Sequence, residues 1–183
     1  LPFRTITHPK FVDEDIIKTL KNSGCYRIEF GIQTINEEIR KKTLKRVETN
    51  KEIETALSLC NKHKLDFMVD HIFGIPGEEV REQLEAAKFY NNFKPVRVGN
   101  FWLVYYPGTE IINTALKMKL LNKNDIQKKE NGYITNYHSG GSVKNKSLIK
   151  SFENFAVFFL LIPLLPKRLN KKLLNSKLIY SLH

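Results

Sequence analysis

An alternation of apolar and polar residues predicts a strand between Tyr26 and Gln33. One face carries Tyr26, Ile28, Phe30 and Ile32, and the other carries Arg27, Glu29, Gly31 and Gln33. Gly31 weakens a strand unless another backbone or a ligand comes close to it. If this strand is covered, Glu29 and Gln33 need hydrogen-bond partners. The pattern therefore indicates either a strand that faces a polar ligand or a solvated edge strand.

The rest of the first two thirds of the chain alternates between strand and helix patterns. Strands are predicted at about 3–8, 26–33, 64–73 and 96–106, with helices at about 13–22, from 36, from 50, at 79–93 and from 109. This order is typical of a parallel sheet with right-handed crossovers, either part of a barrel or a small open sheet.

Three glycine-containing stretches follow these strands. They are Gly31–Gln33, Gly74–Glu78 and Tyr106–Gly108. Since ligands of parallel α/β folds bind beyond the carboxyl ends of the strands, the three stretches predict one binding site on a common edge.

The chain divides into three parts. We predict an α/β domain at 1–121, a polar linker or loop at 122–147 and a helical tail at 148–183. Within the tail, Phe152, Phe155, Phe159 and Ile162 share one helix face between residues 151 and 175. That face is expected to pack on protein, at the open edge of the sheet or on a further domain. The alternative is a helix that lies in the plane of a membrane interface. A spanning helix is not expected, because the apolar run is shorter than the ~20 residues needed to span a bilayer.

Net charge and cysteine content narrow the function classes. Most of the net charge of +11 comes from residues 144–183, which hold eight basic residues and one acidic residue, Glu153. A nucleic-acid-binding domain more often spreads its charge over a folded face, so no nucleic-acid partner is expected. Cys25 and Cys60 are too far apart in the sequence for a metal-binding motif and are expected to be small core residues. Since nothing suggests a disulfide framework, the expected location is the cytoplasm. Peripheral membrane contact through the tail is compatible with that location.

Three motifs in order resemble one enzyme family. Tyr26–Thr34, Gly74–Glu78 and Tyr106–Thr109 are similar to successive motifs of radical S-adenosylmethionine (SAM) enzymes, in particular the group with an N-terminal cobalamin-binding domain. The resemblance covers about residues 1–118. It implies a partial (β/α)6 barrel, of which this chain holds the last four parallel strands, followed by an α-helical C-terminal tail.

The resemblance also implies two cofactors, SAM and a [4Fe-4S] cluster, whose binding residues lie only partly within this chain. In the family, a CxxxCxxC triad holds a [4Fe-4S] cluster at which SAM is reductively cleaved, and no such triad occurs here. We therefore expect a fragment of a radical SAM enzyme, inactive alone, with the cluster ligands and any cobalamin domain outside this chain. The expected substrate is a small or lipid-like molecule for methyl transfer or ring formation, with flavodoxin or ferredoxin as electron donor.

The site residues are carried over by position in the motifs. Glu29, Gly31 and Gln33 would face SAM, while Ile72, Gly74, Ile75, Pro76 and Gly77 would line its adenine. Asp70 is expected either to face the barrel interior or to form a structural ion pair, and Glu78 lies one place beyond the usual acidic position. No catalytic residue and no metal ligand is assigned.

Two other interpretations compete with this one. A truncated or degenerate domain could act only as a binding module, and the DNA upstream of Leu1 would separate the two hypotheses. A dinucleotide-binding fold is disfavoured because no strand here is followed by a Gly-x-Gly-x-x-Gly turn.

Overall fold

The structure is a computed structural model that describes residues 1–133 and 143–176. Strands and helices alternate along the first two thirds of the chain, and two helices follow in the tail. The elements are β1 (Phe3–Thr7), a 3-10 helix (Pro9–Phe11), α1 (Glu14–Asn22), β2 (Cys25–Gln33), α2 (Glu37–Lys42), α3 (Asn50–Lys62), β3 (Asp66–Phe73), α4 (Val80–Phe93), β4 (Arg97–Trp102), α5 (Glu110–Lys117), α6 (Lys123–Glu130), α7 (Lys146–Leu161) and α8 (Lys167–Asn175).

The sheet has four parallel strands in the order β1-β2-β3-β4. Each strand lies beside its sequence neighbour, as in a barrel that is built strand by strand. The predicted last four strands of a partial (β/α)6 barrel are thereby confirmed.

Short polar side chains start the helices that cross between the strands. Asp13 and Asn36 each accept a hydrogen bond from the backbone N–H three residues later, at the starts of α1 and α2. Thr49 and Glu52 form a reciprocal capping box at the start of α3. These caps fix where each crossover begins, close to the carboxyl end of the preceding strand.

The two faces of the sheet differ in burial. On one face Ile28, Phe30 and Ile32 are fully buried, and Phe67, Val69 and Phe73 continue that core on β3. The opposite, concave face is only partly buried at Arg27, Glu29, Gly31 and Gln33. The alternation read from the sequence is therefore correct, and the polar face of β2 is the concave face.

Two stretches differ from the sequence prediction. β4 ends at Trp102 rather than near residue 106, because β3 turns away at Gly74 and Leu103 N makes the last bond of the ladder, to Phe73 O. The predicted polar linker at 122–147 contains the helix α6, which starts with a capping box between Asn122 and Asp125. The Ser139–Ser142 part of that linker lies outside the described residues.

The tail packs on protein, as the spacing of its aromatic residues predicts. Phe152, Phe155, Phe159 and Ile162 are all buried. They pack on α4 and β4, so the expectation that the tail covers the open edge of the sheet is wrong; that edge is β1, at the other end. Most of the tail's apolar partners are side chains of β3, β4 and α4, which already form the core.

The tail is two helices rather than one. Pro163 and Pro166 lack backbone N–H groups and separate α7 from α8. Asn170 of α8 stabilises the segment between the two helices, because its Nδ2 donates to Ile162 O and Leu165 O. The same Nδ2 also donates to Asn91 Oδ1 of α4. None of the described helices is both long and apolar enough to cross a membrane.

We predict that the tail is needed for stability. Phe159 is fully buried, with its ring centroid 5.0 Å from His71 and 5.4 Å from Tyr90. Phe159→Ala should lower the free energy of unfolding by about 3–5 kcal/mol, because it leaves a cavity among packed rings. Val157→Ala, two residues away and exposed, should change it by less than about 0.5 kcal/mol. Urea unfolding measures both, and equal effects would contradict the packing described.

Candidate functional site

The carboxyl end of β2 is a strained turn. The register with β3 shifts between Gly31 and Gln33, so Ile32 is an extra residue. Gln33 has a φ of 69°, and Thr34 N donates to Ile32 O at 2.9 Å. These features match the classic γ-turn, which is rare and costly for a residue other than glycine. Strain of this kind is concentrated at functional sites, so Gln33 is the first candidate site residue that the geometry supports.

Gly31 makes room for the side chain of Gln33. A Cβ atom at residue 31 would lie 2.6 Å from Gln33 Nε2. The glycine in this strand is therefore explained by the amide that folds back over it, on the concave face. The two residues form one unit that presents the amide beside the end of β2.

The stretch after β3 forms a tight turn. Glu78 N donates to Ile75 O at 2.9 Å, with Pro76 and Gly77 at the two central positions and a φ of 94° at Gly77. This is the residue pattern of a type II turn. Ile75 and Pro76 are buried and Gly77 is exposed, so the exposed surface of this turn is backbone.

A cleft of about 700 Å³ lies beside this turn. Its walls include Gly77, Tyr105, Met118, Leu120, Val143 and Leu148. Val143 lies directly over Gly74, where a Cβ atom would be 2.5 Å from Val143 Cγ2. Among the described residues, the cleft is thus bounded by four parts of the chain: the turn after β3, Tyr105 after β4, the region after α5, and the start of the tail.

Glu29 lies deeper on the concave face than Gln33. Its carboxylate is 3.8 Å from Arg4 of β1, and its side chain is 16% exposed. Asp70 on β3 faces it; burial and the charge of Glu29 raise the pKa of Asp70 to about 6. Gly99 on β4 leaves room for Asp70, since a Cβ atom there would lie 2.5 Å from Asp70 Oδ1. Asp70 therefore faces the interior, and its Oδ1 is buried without a hydrogen-bond partner among the described residues, so the structural ion pair is not found there.

A buried cation ties the end of β2 to the loop before α3. Arg40 is fully buried, and its guanidinium donates to Thr34 O at 2.6 Å, Glu48 O at 3.0 Å and Asn50 Oδ1 at 2.7 Å. Burial lowers the pKa of Arg40, and the charge of Glu48 opposes that effect. The backbone at Thr34, which closes the turn at Gln33, is held in place by this side chain.

Arg46 binds the carbonyl group of Gly31, which lies before the turn at Gln33. Its NH2 group donates to Gly31 O at 2.7 Å and its Nε to Glu48 Oε1 at 2.6 Å. Burial would raise the pKa of Glu48, but the hydrogen bond from Arg46 helps to hold it below the usual range. His8 Nε2 lies 2.9 Å from the other oxygen of Glu48, which links the end of β1 to the same cluster.

A chain of buried polar groups supports the turn after β3. His71 Nδ1 lies 3.0 Å from the hydroxyl of Tyr90, and His71 Nε2 lies 2.7 Å from Gln83 Oε1. Burial lowers the pKa of His71 to about 4, so the ring is neutral; its Nε2–H donates to Gln83 and its Nδ1 accepts from Tyr90. Gln83 also lies against Glu78, and Glu78 Oε2 accepts from Ile75 N at 3.2 Å.

The environment of Glu78 favours its neutral form. Burial raises its pKa to about 8, against smaller opposing effects of Thr34 and Ile75. Glu78 is one of the residues that line the cleft, and it connects the end of β2 at Thr34 with the turn after β3. Glu78 therefore helps to position both the end of β2 and the turn after β3.

The described residues offer no metal centre. In residues 1–133 and 143–176 no group of three or more His, Cys, Asp or Glu side chains could hold a metal ion. Cys25 and Cys60 are free thiols buried in the core, as the sequence indicates, and burial raises the pKa of Cys60 to about 12. Neither thiol is a ready metal ligand.

The structure brings most of the predicted site residues to one edge. Glu29, Gly31, Gln33 and Ile72 lie on the concave face, and Gly74, Ile75, Pro76 and Gly77 form the turn beyond β3. The sequence interpretation missed Arg40, Arg46 and Glu48. Their spacing matches no helix face or motif, so hydrophobic periodicity gave no signal for them.

The fold and this edge define a class of protein: a partial parallel α/β barrel with a polar site at the carboxyl ends of its strands. Residues 2–90 match the profile of the Radical SAM superfamily. This match covers just under half of the chain, and this part of the chain is similar to a radical SAM superfamily domain.

One curated relative is similar to part of this chain. The chain is 27% identical over 108 residues to the "Heme chaperone HemW" of Buchnera aphidicola subsp. Schizaphis graminum. The match covers 59% of this chain and 28% of that protein, so the chain spans little more than a quarter of its length.

Two solved structures share the fold. The methyltransferase TsrM from Kitasatospora setae, with cobalamin and a [4Fe-4S] cluster bound, has a TM-score of 0.57 at 23% identity, over 67% of this chain and 24% of that one. Coproporphyrinogen III oxidase (HemN) from Escherichia coli, a radical SAM enzyme, has a TM-score of 0.56 at 16% identity, over 84% of this chain and 38% of that one.

We predict that Glu78 gives the protein a specific pH dependence. Its pKa of about 8 when folded exceeds the ordinary value of 4.5, so its contribution to stability is full below pH 4.5 and is lost as pH rises to about 8. Glu78→Gln keeps an acceptor for Ile75 N and cannot ionise. The variant should match the wild type near pH 5 and be more stable by about 1–4 kcal/mol at pH 9.

Urea unfolding at several pH values measures this difference, with Glu54→Gln on the exposed side of α3 as the matched control. His71 and Asp70 titrate in both proteins, so the difference between wild type and variant isolates Glu78. Parallel stability curves for the wild type and Glu78→Gln would show that this carboxyl is not held neutral.

Proposed function

We propose that residues 1–121 hold SAM at the carboxyl edge of the sheet and that the protein acts as a radical SAM enzyme. The observation that carries the proposal is the strained turn at Gln33, at the carboxyl end of β2, on the strand that pairs with β3, which the Gly74–Gly77 turn follows. When bound, SAM would supply the sulfonium group for radical chemistry, with the electron coming from a [4Fe-4S] cluster held outside this chain. The chain's own residues bind and orient SAM.

The donor set of this edge fits SAM. An amide and carboxylates suit the hydroxyl and ammonium groups of such a ligand. In the proposal Gln33 contacts the ribose hydroxyls or the amino group, and the exposed backbone at Gly77 lies against the adenine, in the cleft of about 700 Å³. Ile72, Gly74, Ile75 and Pro76 shape the wall behind that backbone.

In this proposal Glu29 also contacts SAM, from a position on β2 that is further from the carboxyl end of the strand than Gln33. Glu29 precedes Gly31 by two residues on the same face, and the Gln33 amide lies over Gly31, so the amide and the Glu29 carboxylate are separated by roughly 7 Å along the strand. One ligand can therefore touch both. The Glu29–Asp70 pair, with one carboxyl readily protonated near pH 6, can accept a hydrogen bond from the ligand and also donate one to it.

The residues of this chain do not fit a [4Fe-4S] cluster. The sequence has two cysteines, and both are buried in the core. The cluster ligands therefore lie outside this polypeptide in the proposal, as does any cobalamin site. Use of cobalamin, a small or lipid-like substrate and a flavodoxin or ferredoxin donor rest on the family resemblance and on the neighbour TsrM.

A non-catalytic binding module is the second candidate. It shares the SAM site with the first and differs in having no cluster in any part of the protein. The edge of the sheet is common to both candidates, and the presence or absence of a [4Fe-4S] cluster in the full-length protein separates them.

We expect Gln33 to contribute to SAM binding through its position over Gly31. Gln33→Ala should weaken binding of SAM by about 0.5–1.5 kcal/mol, the range of one hydrogen bond. Gly31→Ala should have a similar effect, because the added methyl group displaces the amide that lies 2.6 Å from its place. Calorimetric titration of the 183-residue chain with SAM measures both.

The double variant provides the control. If Gly31 acts only through Gln33, Gly31→Ala adds nothing in a Gln33→Ala background. Additive losses would mean that the ligand touches Gly31 itself, and unchanged affinity in both single variants would remove this edge from the site.

We also expect the chain alone to assemble no cluster. Anaerobic incubation with iron and sulfide should leave no charge-transfer absorbance after desalting. The Cys25→Ser/Cys60→Ser variant is the control for adventitious iron. A stable absorbance band that this variant lacks would contradict the assignment of the cluster ligands to residues outside the chain.

A further inference from the structure

The outward side of α7 changes character along the helix. Its first half exposes Lys146, Lys150 and Glu153. Its second half exposes Val157 (59%) and Leu160 (54%), and Leu164 (74%) follows. The helical turn continues past α7, because Leu164 N and Leu165 N both donate to Leu161 O. At spacings of three and four residues, the three aliphatic side chains share one face.

Other helices of this protein behave differently. The outward side of α4 exposes charged residues along its length, including Arg81, Glu85 and Lys88. That of α3 exposes Lys51 and Glu54. The aliphatic face of α7 therefore differs from the outward faces of its neighbours, and contiguous exposed apolar residues mark interaction sites.

Cations lie next to this aliphatic face. Arg168, Lys171 and Lys172 are exposed on α8. No Asp or Glu occurs after Glu153 in the sequence, so no acidic residue of α8 or of the second half of α7 offsets their charge. Leu164 precedes Arg168 by four residues, a reach of at most about 14 Å. The apolar and the basic groups can thus meet one partner together.

We propose that Val157, Leu160 and Leu164, with the three cations of α8, form a docking surface for an anionic lipid bilayer. The aliphatic side chains enter the boundary between headgroups and acyl chains, and the cations meet the anionic headgroups. α7 and α8 lie in the plane of the interface while their buried faces stay on α4. This surface is separate from the SAM site and does not depend on it.

The residue types favour lipid over a protein partner. Protein interfaces are enriched in aromatic residues and methionine and are depleted in lysine. Here the exposed apolar residues are aliphatic, the aromatic residues of α7 face inward, and lysines adjoin the patch. A basic amphipathic surface with aliphatic residues on one side is the arrangement that binds membrane interfaces.

The test is flotation of the 183-residue chain with vesicles of phosphatidylcholine alone and of phosphatidylcholine mixed with phosphatidylglycerol. We expect the protein to float with the mixed vesicles and not with the neutral ones. Binding should weaken as salt is raised, because the attraction between exposed charges is screened.

Two variants separate the contributions of the two halves of the surface. Leu160→Glu/Leu164→Glu and Lys171→Ala/Lys172→Ala should each reduce binding to the mixed vesicles at least tenfold. All four residues are exposed, so both variants should unfold at the wild-type temperature. The matched controls are Val47→Glu, an exposed aliphatic residue elsewhere, and Lys41→Ala/Lys51→Ala on α2 and α3; both should bind like the wild type.

Several results would overturn the proposal. These are no flotation with either vesicle, equal flotation with neutral vesicles, and unchanged binding of Leu160→Glu/Leu164→Glu. Light scattering measures the oligomeric state and so tests whether a second copy of the chain covers this face. A dimer of the wild-type chain that Leu160→Glu/Leu164→Glu abolishes would show that it does, and would overturn the proposal.

Discussion

The candidate site depends on buried and partly buried polar side chains that bind the backbone where the strands end. A backbone group that is buried without a partner costs about as much as a lost hydrogen bond. Arg40 binds Thr34 O, Arg46 binds Gly31 O and Glu78 binds Ile75 N. The family motifs supply glycines and an amide, but these three side chains outside the predicted site fix their geometry.

The same constraint links the site to the tail. The polar chain from Glu78 through Gln83 and His71 reaches Tyr90 on α4, and Phe159 of α7 packs its ring against both His71 and Tyr90. The region that matches the family profile ends at residue 90, inside α4. The tail helices complete the core behind it, so they are structural parts of this domain as well as a candidate membrane surface.

The sequence was sufficient for the strands and for the edge on which the site lies. Period-two alternation at Tyr26–Gln33 assigned the faces of β2, and the residue types of the turn Ile75–Glu78 match the observed bend. It could not reveal the positive φ of Gln33, since that conformation is more typical of glycine or asparagine. Nor could it place the tail, because an apolar helix face shows that something covers it, not which surface does.

The central claim is that the ends of β2 and β3 bind one SAM molecule, and an NMR titration of the ¹⁵N-labelled chain with SAM tests it most directly. The account predicts saturable shifts of the backbone amides of Gln33, Thr34 and Gly77, with the amides of α1 unchanged. Shifts confined to other regions, or no shifts at a SAM concentration that saturates a calorimetric signal, would contradict it.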